Sequence, residues 1–301
     1  MALRAGWAFR HRPDAARERR HLPAVNIDTR SGPAGRPNDR GSEMTMLQDK
    51  CLSAVRVPPR QAKPRDSGLT VVADRGLGPA ALGDLLETAG DYIDIAKFAM
   101  GVSRLLGEDL VRRKIEAYGA RGIPCFFAGE IFELAILQGV VEEYFAAIKA
   151  LGGWGVEVSN AQVAMGIPEK VALIGMGQKA GLQVIAECGR KGGVDWAGSG
   201  KLVAAEVRAC LDAGAYRVLV QAEGLNEGVE EPNARLIQDL VGEFGLDRLV
   251  FQAKEDGLIP WFLKSFGLRV NLDVDSDQVL DLESQRRGLR KRGVFGLMVG
   301  P

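Results

Sequence analysis

The sequence predicts an α/β fold, a closed (β/α)8 TIM barrel preceded by an N-terminal extension. Three observations predict it. From Leu69 onward a short β-branched run recurs eight times. Each run is followed by apolar residues at helical spacing. Glycine stands before most new runs, where a helix needs a residue that tolerates the left-handed conformation in order to stop. Strand–helix alternation repeated eight times over about 230 residues is the arithmetic of a barrel. The rival is an open doubly wound sheet. It usually carries a GxGxxG or a P-loop after its first strand, and here that strand ends in 74-DRGLG-78, without phosphate-loop spacing.

The strand runs lie at residues 69–73, 92–96, 125–127, 155–158, 183–186, 217–220, 248–251 and 270–272. Runs of this length bounded by turn signals read as buried parallel strands. Leu82, Leu85, Leu86 and Ala89 mark a helix face after the first run. Leu110, Val111, Ile115 and Tyr118 do so after the second. Two helical patches follow the third: Phe132, Ala135 and Ile136, then Tyr144, Phe145 and Ile148. Val171, Leu173, Ile174 and Met176 follow the fourth. Gly122, Gly152, Gly181, Gly214, Gly245 and Gly267 stand where helices should stop. Met165, Met176, Trp154, Trp196 and Trp261 are expected to pack rather than to bind.

The chain has 301 residues, with 39 Lys and Arg against 39 Asp and Glu. The formal charge is zero, which removes the basic excess of a nucleic-acid binder. No apolar run reaches the roughly 18 residues that cross a bilayer. Neither nucleic acid nor membrane is therefore expected as a partner. Both histidines, His11 and His21, lie near the N-terminus. From residue 22 on, no imidazole can act as base or metal ligand, and chemistry falls to Lys, Arg, carboxylates, amides, hydroxyls or thiols. Cys51, Cys125, Cys188 and Cys210 form no CxxC pair, which argues against zinc and for a reduced, cytoplasmic setting. No apolar h-region of a secretory signal follows the basic N-terminus.

The zero charge hides an asymmetry. Residues 1–66 hold 14 Lys and Arg against 7 Asp and Glu, a net of +7, while residues 67–301 hold 25 against 32, a net of −7. The first 66 residues also carry seven of the 13 prolines and no sustained apolar period. They read as a disordered basic extension to a barrel at 67–301. Two other readings stand beside this one. The extension is a basic arm for RNA or an acidic partner, or residues 1–43 are upstream sequence outside the native protein. For the latter, nine Arg and no Lys precede Met44 and Met46.

Barrel chemistry lies at the C-terminal ends of the strands. That rule selects Asp74 and Arg75, Asp94 and Lys97, Glu130, then Glu157, Ser159 and Asn160. It also selects Glu187, Arg190 and Lys191, Gln221 and Glu223, Gln252 and Lys254, and Asn271 and Asp273. One carboxylate alone would read as a helix cap or half of an ion pair. Several carboxylates and cations converging on one rim read as a site. Lys97 ends an apolar strand, where an ammonium is costly unless paired or used. Cys188 offers a nucleophile only if Arg190 or Lys191 activates it.

These residues sit in phrases that resemble the phosphosulfolactate synthase family: 68-GLTVVADRGLG-78, 90-GDYIDIAKFAMGVS-103, 128-AGEIFE-133, 155-GVEVSN-160, 185-IAECGRKGG-193, 261-WFLKSFGLRVNLDVD-275 and 280-LDLESQRRGLR-290. The likeness runs in order from about Gly68 to Arg290. It implies a (β/α)8 barrel, in agreement with the strand count. It also implies a lyase that adds sulfite to phosphoenolpyruvate with Mg2+, giving (2R)-O-phospho-3-sulfolactate, the step that opens coenzyme M synthesis in archaea. By the resemblance, Lys191 is the general acid, and Lys97 and Arg75 are also catalytic, Arg75 standing for a lysine. Arg190 binds phosphate or sulfite. Ser159, Asn160 and Asn271 are expected to contact substrate. Glu157 and Glu187 are expected to hold or orient the metal, with Asp74 behind them. The inventory suits two anionic substrates: cations stabilise the charge that develops as sulfite attacks C3, and a lysine protonates C2. Barrels often associate through their outer helices, so a homo-oligomer is a further expectation.

Some positions depart from the family phrases. Gln221 and Gln252 stand where the family has Glu, and Glu223 stands where it has Arg. Exchanging Arg for Glu at an anion site changes the local charge by two units, each worth at most several kcal/mol at ~4 Å and an effective dielectric of about 20. The stretches 271-NLDVD-275 and 280-LDLES-284 also resemble plant heat-stress-associated relatives. The expected function is the synthase reaction. The alternatives are a diverged barrel with another enolate-type reaction and a non-catalytic stress-associated scaffold.

Overall fold

The computed structural model describes residues 50–189, 196–223, 225, 228–230 and 232–290, with the backbone alone at 196–199. Residues 1–49, Arg190, Lys191 and the side chain of Trp196 lie outside them. Eight parallel strands close in sequence order. They are β1 Thr70–Asp74, β2 Ile95–Phe98, β3 Cys125–Phe127, β4 Gly155–Val158, β5 Gln183–Cys188, β6 Arg217–Val220, β7 Leu249–Gln252 and β8 Asn271–Asp275, and β8 pairs back onto β1. The helices are α1 Pro79–Ala89, α2 Glu108–Gly119, α3 Gly129–Gln138, α4 Val141–Ala150, α5 Ile167–Lys179, α6 Trp196–Asp212, α7 Ala234–Phe244, α8 Leu258–Phe266 and α9 Val279–Arg286. Two of them, α3 and α4, lie between β3 and β4, as the double apolar patch predicts. No helix among the described residues is long and apolar enough to cross a membrane.

Local chemistry sets the boundaries. Proline at the start of α1 gives up an N–H that would be orphaned there anyway. Glu108 and Asp109 place negative charge in the first turn of α2. Asn233 caps α7 by accepting the Leu236 N–H. Gly122 (φ 65°) and Gly214 (φ 89°) turn the chain back toward the next strand in the conformation that a side chain would oppose.

The second strand departs from expectation. The run at 92–96 looked like a strand, but Gly90–Tyr92 forms a 3-10 turn and the strand starts at Ile95. Asp94 is therefore at the floor of the barrel, where its carboxylate accepts the Thr70 N–H at 2.8 Å. At the other end of the chain, β8 runs three residues further than expected, to Asp275.

Strand periodicity sorts the side chains into two cores. Val72, Phe98, Phe127, Val156, Val184, Val220 and Phe251 face the helices. Val71, Ile95, Phe126, Ile185, Leu219 and Val250 fill the lower barrel interior. Trp154 meets Tyr216 edge-on, 5.1 Å between ring centres, and Trp261 meets Phe262 and Phe266 edge-on as well, so both pack as expected. Met165 and Met176 also join the helix-facing core.

The floor is closed by the segment before β1 and by α9. Arg65 pairs with Asp94 at 2.9 Å, Arg60 with Glu283 and the Gly68 carbonyl, and Arg287 with Glu283 and the Pro58 carbonyl. Pro58, Arg60 and Arg65 thus pack against the barrel floor.

Candidate active site

The strand alternation that builds the apolar lower layer also builds the site. Two residues beyond Ile95, Gly155, Ile185, Leu219, Val250 and Asn271 come Lys97, Glu157, Glu187, Gln221, Gln252 and Asp273. The barrel interior changes from hydrocarbon to charge within one strand repeat, roughly 6.6 Å. Above this layer opens a cavity of about 330 Å³ at the C-terminal end of the strands.

Lys97 is the centre of the layer. Its Nζ lies 2.8 Å from Glu157 and 3.8 Å from Asp273. Burial alone would lower its pKa, but the carboxylates of Glu157, Asp273 and Glu187 outweigh burial and raise it. The group is a fixed ammonium, not a base. Burial, helped by the charge of Glu187 and opposed by Lys97, pushes the Glu157 carboxyl up to about 7. Glu157 Oε1 accepts the Gly129 N–H at 3.1 Å. That approach requires glycine: a Cβ at residue 129 would lie 2.4 Å from the Ser159 Cβ.

Ser159 bridges two carboxylates, with Oγ 2.5 Å from Glu133 and 2.6 Å from Glu187. Glu133 also accepts the N–H groups of Ala161, Gln162 and Val163 at 3.0, 2.8 and 2.6 Å. It pins the β4–α5 loop over the cavity. Sequence reasoning stopped at Glu130 and missed Glu133. The available signal was its spacing, one helical turn beyond a strand-end carboxylate.

Of the expected site residues, Lys97, Arg75, Ser159, Glu157 and Glu187 line the cavity, together with Glu130, Gln221, Glu223, Gln252 and Lys254. Arg75 pairs with Asp275 at 2.9 Å. Three of the expected residues are placed away from the cavity. Asp74 faces the helices, where Lys114 Nζ sits 2.8 Å away, Tyr118 donates at 3.1 Å and the N–H groups of Gly76 and Leu77 donate. It cannot reach a metal in the cavity. Asn160 follows inward-facing Ser159 and so points outward, accepting from Lys170 at 2.8 Å. Asn271 begins β8 instead of ending it. At the floor it accepts the Leu69 N–H and donates to the carbonyls of Leu246 and Leu249. Cys188 also faces the helices, 3.8 Å from Cys210, and burial pushes its thiol well above the ordinary range. It is no nucleophile for this cavity. Arg190 and Lys191 fall outside the described residues.

Six carboxylates against three cations line the cavity among the described residues. Such an excess is relieved by protonation, as at Glu157, or by a bound cation. Among the described residues, no group of three or more His, Cys, Asp or Glu could hold a metal ion. Glu157 and Glu187, adjacent on β4 and β5, still offer the hard oxygen donors that suit Mg2+, which commonly takes one or two carboxylates and completes its shell with water and substrate oxygens.

The model of the family described as (2R)-phospho-3-sulfolactate synthase (ComA) matches residues 58–292. Phosphosulfolactate synthase of Methanothermobacter thermautotrophicus is 35% identical over 245 residues, which cover 77% of this chain and 93% of the relative. Phosphosulfolactate synthase of Methanocaldococcus jannaschii is 31% identical over 235 residues, 74% and 92% of the two chains. Protein HEAT-STRESS-ASSOCIATED 32 of Arabidopsis thaliana is 27% identical over 257 residues, 75% and 88% of the two chains. With the barrel closed, the site at its C-terminal mouth and the match spanning both ends of the fold, the chain belongs to the (2R)-phospho-3-sulfolactate synthase family.

Proposed function

We propose that this barrel is a lyase that adds sulfite to phosphoenolpyruvate, forming (2R)-O-phospho-3-sulfolactate. The single observation that carries the reading is the buried ammonium of Lys97 beneath an open, charge-lined cavity in a chain of this family. Addition of sulfite to C3 moves negative charge toward the substrate carboxylate. A fixed cation at the base of a partly dry cavity stabilises that charge more than it stabilises the ground state. Lys97 supplies it without titrating. Arg75 and Lys254, higher in the cavity, offer charge to the phosphoryl group. Lys191, which follows β5 in the sequence, is assigned the proton delivered to C2, and Arg190 a contact to phosphate or sulfite. Ser159 orients Glu187. Glu157 and Glu187 would hold Mg2+, which when bound supplies Lewis-acid stabilisation of substrate oxygens.

The acid excess of the cavity and the uncharged Gln221 and Gln252 favour a second reading, a related enolate-type reaction on a less anionic substrate. Phosphorus NMR of the full chain with phosphoenolpyruvate, sulfite and Mg2+ separates the two. The expected result is a new phosphate-ester resonance that requires sulfite and disappears in Lys191→Ala. Folded protein that leaves phosphoenolpyruvate unchanged would remove the synthase reading.

A further inference from the structure

The cations of the cavity are not spread evenly around its rim. Glu130, Glu133, Glu157 and Glu187 occupy the β3–β5 side. Arg75, Lys97 and Lys254 follow or end β1, β2 and β7, and all three lean on the aspartates of β8. Asp273 is fully buried, and neither of its oxygens has a hydrogen bond. It is held only by charge, 3.8 Å from Lys97 and 3.4 Å from Lys254. Asp275, two residues on, takes Arg75 at 2.9 Å while its side chain also caps the turn that follows β8. Gln278 ties the two positions together. Its Oε1 accepts the Asp275 N–H at 2.9 Å, and its Nε2 donates to the Lys254 carbonyl at 2.8 Å.

We propose that Lys254 and Arg75 are the two arms of a clamp for the substrate's phosphoryl group, with Asp273, Asp275 and Gln278 as positioning residues that hold the arms apart before the substrate arrives. The spacing supports this. The aspartates that hold the arms, Asp273 and Asp275, stand two residues apart on β8, roughly 7 Å along the strand. A phosphoryl group that accepts one charge-assisted hydrogen bond of about 2.7–2.9 Å on each side bridges a gap of that order. The clamp rests on the reading of phosphoenolpyruvate as substrate and adds to it the residues that fix which way that substrate lies. The phosphoryl group sits over β8, and the enol carbon points toward Lys97 and the β4–β5 carboxylates.

The test is calorimetric titration of the full chain at low salt with phosphoenolpyruvate and, separately, inorganic phosphate, alongside steady-state kinetics. Lys254→Met and Arg75→Met should each weaken phosphoenolpyruvate at least tenfold, chiefly in KM. Lys254→Arg should stay within about threefold of the parent, and Lys179→Met, on the outer face, should be unchanged. Asp273→Asn should bind inorganic phosphate about threefold more tightly while kcat falls, because a competing negative charge is gone and the arm is no longer positioned. An aspartate with a merely structural role would weaken binding instead. Gln278→Leu should raise KM about threefold. Unchanged affinity in Lys254→Met, or a parent chain that binds neither ligand, overturns the clamp. Binding that depends on Lys254 without sulfite addition leaves the clamp and removes the synthase reading. Sulfite addition with a parental KM in Lys254→Met does the reverse.

Discussion

At the floor of the barrel, Arg65, Arg60 and Arg287 are each locked onto a carboxylate and a carbonyl, and Arg286 lies fully buried against the Thr70 hydroxyl and the carbonyls of Leu69 and Val270. At the mouth the same residue types meet differently. Lys254 and Lys97 share one aspartate at 3.4 and 3.8 Å, the carboxylate of that aspartate accepts no hydrogen bond, and carboxylates outnumber cations two to one among the described residues of the cavity. The difference separates two uses of buried charge. Where arginines are hydrogen-bonded to fixed carboxylates and carbonyls, the contacts specify which segments close the barrel. Where carboxylates and cations are unequal in number, the imbalance is available to a ligand.

Substitutions at the two ends should therefore fail in different currencies. The largest effect is expected at the mouth, where Lys97→Met should lower kcat about 10³-fold, ~4 kcal/mol of transition-state stabilisation, as read by steady-state kinetics. A parental kcat in that variant would make Lys97 a structural ion-pair partner like the floor arginines. Next comes Arg65→Met, which leaves Asp94 buried with a weaker partner. It should cost about 3 kcal/mol and lower the melting temperature by about 6–12 °C, with kcat per folded molecule unchanged. Glu133→Gln should then reduce kcat/KM about tenfold, because the loop at 161–163 loses its anionic anchor. A loss of melting temperature without loss of rate would move Glu133 to the structural side. The smallest effect is in the pH dependence of stability. Glu157 has its carboxyl raised from an ordinary 4.5 to about 7 in the fold. The folded chain thus holds this proton more tightly than the unfolded one, and its contribution is lost as pH rises through that window. Denaturant titrations between pH 4.5 and 7 should show stability declining as pH rises, a decline that flattens in Glu157→Gln.

The strand order was readable because each β run is short and apolar and most follow a glycine, and the third, fourth and sixth strands match their sequence runs residue for residue. The second was not, since Tyr92 and Ile93 are apolar for a reason other than strand formation. Ile93 packs into the helix-facing core after a turn. The site shows the same limit at finer scale. Glu157, Glu187 and Lys97 line the cavity as a strand-end position suggests. Asp74 and Asn160 satisfy the same rule and point away from it because side chains alternate. Both faces of these strands are buried, so hydrophobicity along them does not reveal which parity points inward, and only the register of the closed barrel decides. Asn271 was misplaced because the charged end of β8 reads as loop, although the strand continues through Asp273 to Asp275. Glu133 was hidden in the body of a helix.

The floor contacts have a consequence for how the chain reaches this structure. Arg60 reaches Glu283 across 223 residues, Arg287 reaches Pro58 across 229, and Arg286 reaches Thr70 across 216. Contacts of such separation carry the largest loop-closure entropy and form last. During synthesis the first strand has no partner on one edge until β8 and α9 have emerged, nearly the whole barrel later. That last piece brings Asp273, Asp275 and Gln278 with it. Completion of the fold and completion of the cavity are then one event, and a chain truncated before α9 would have neither.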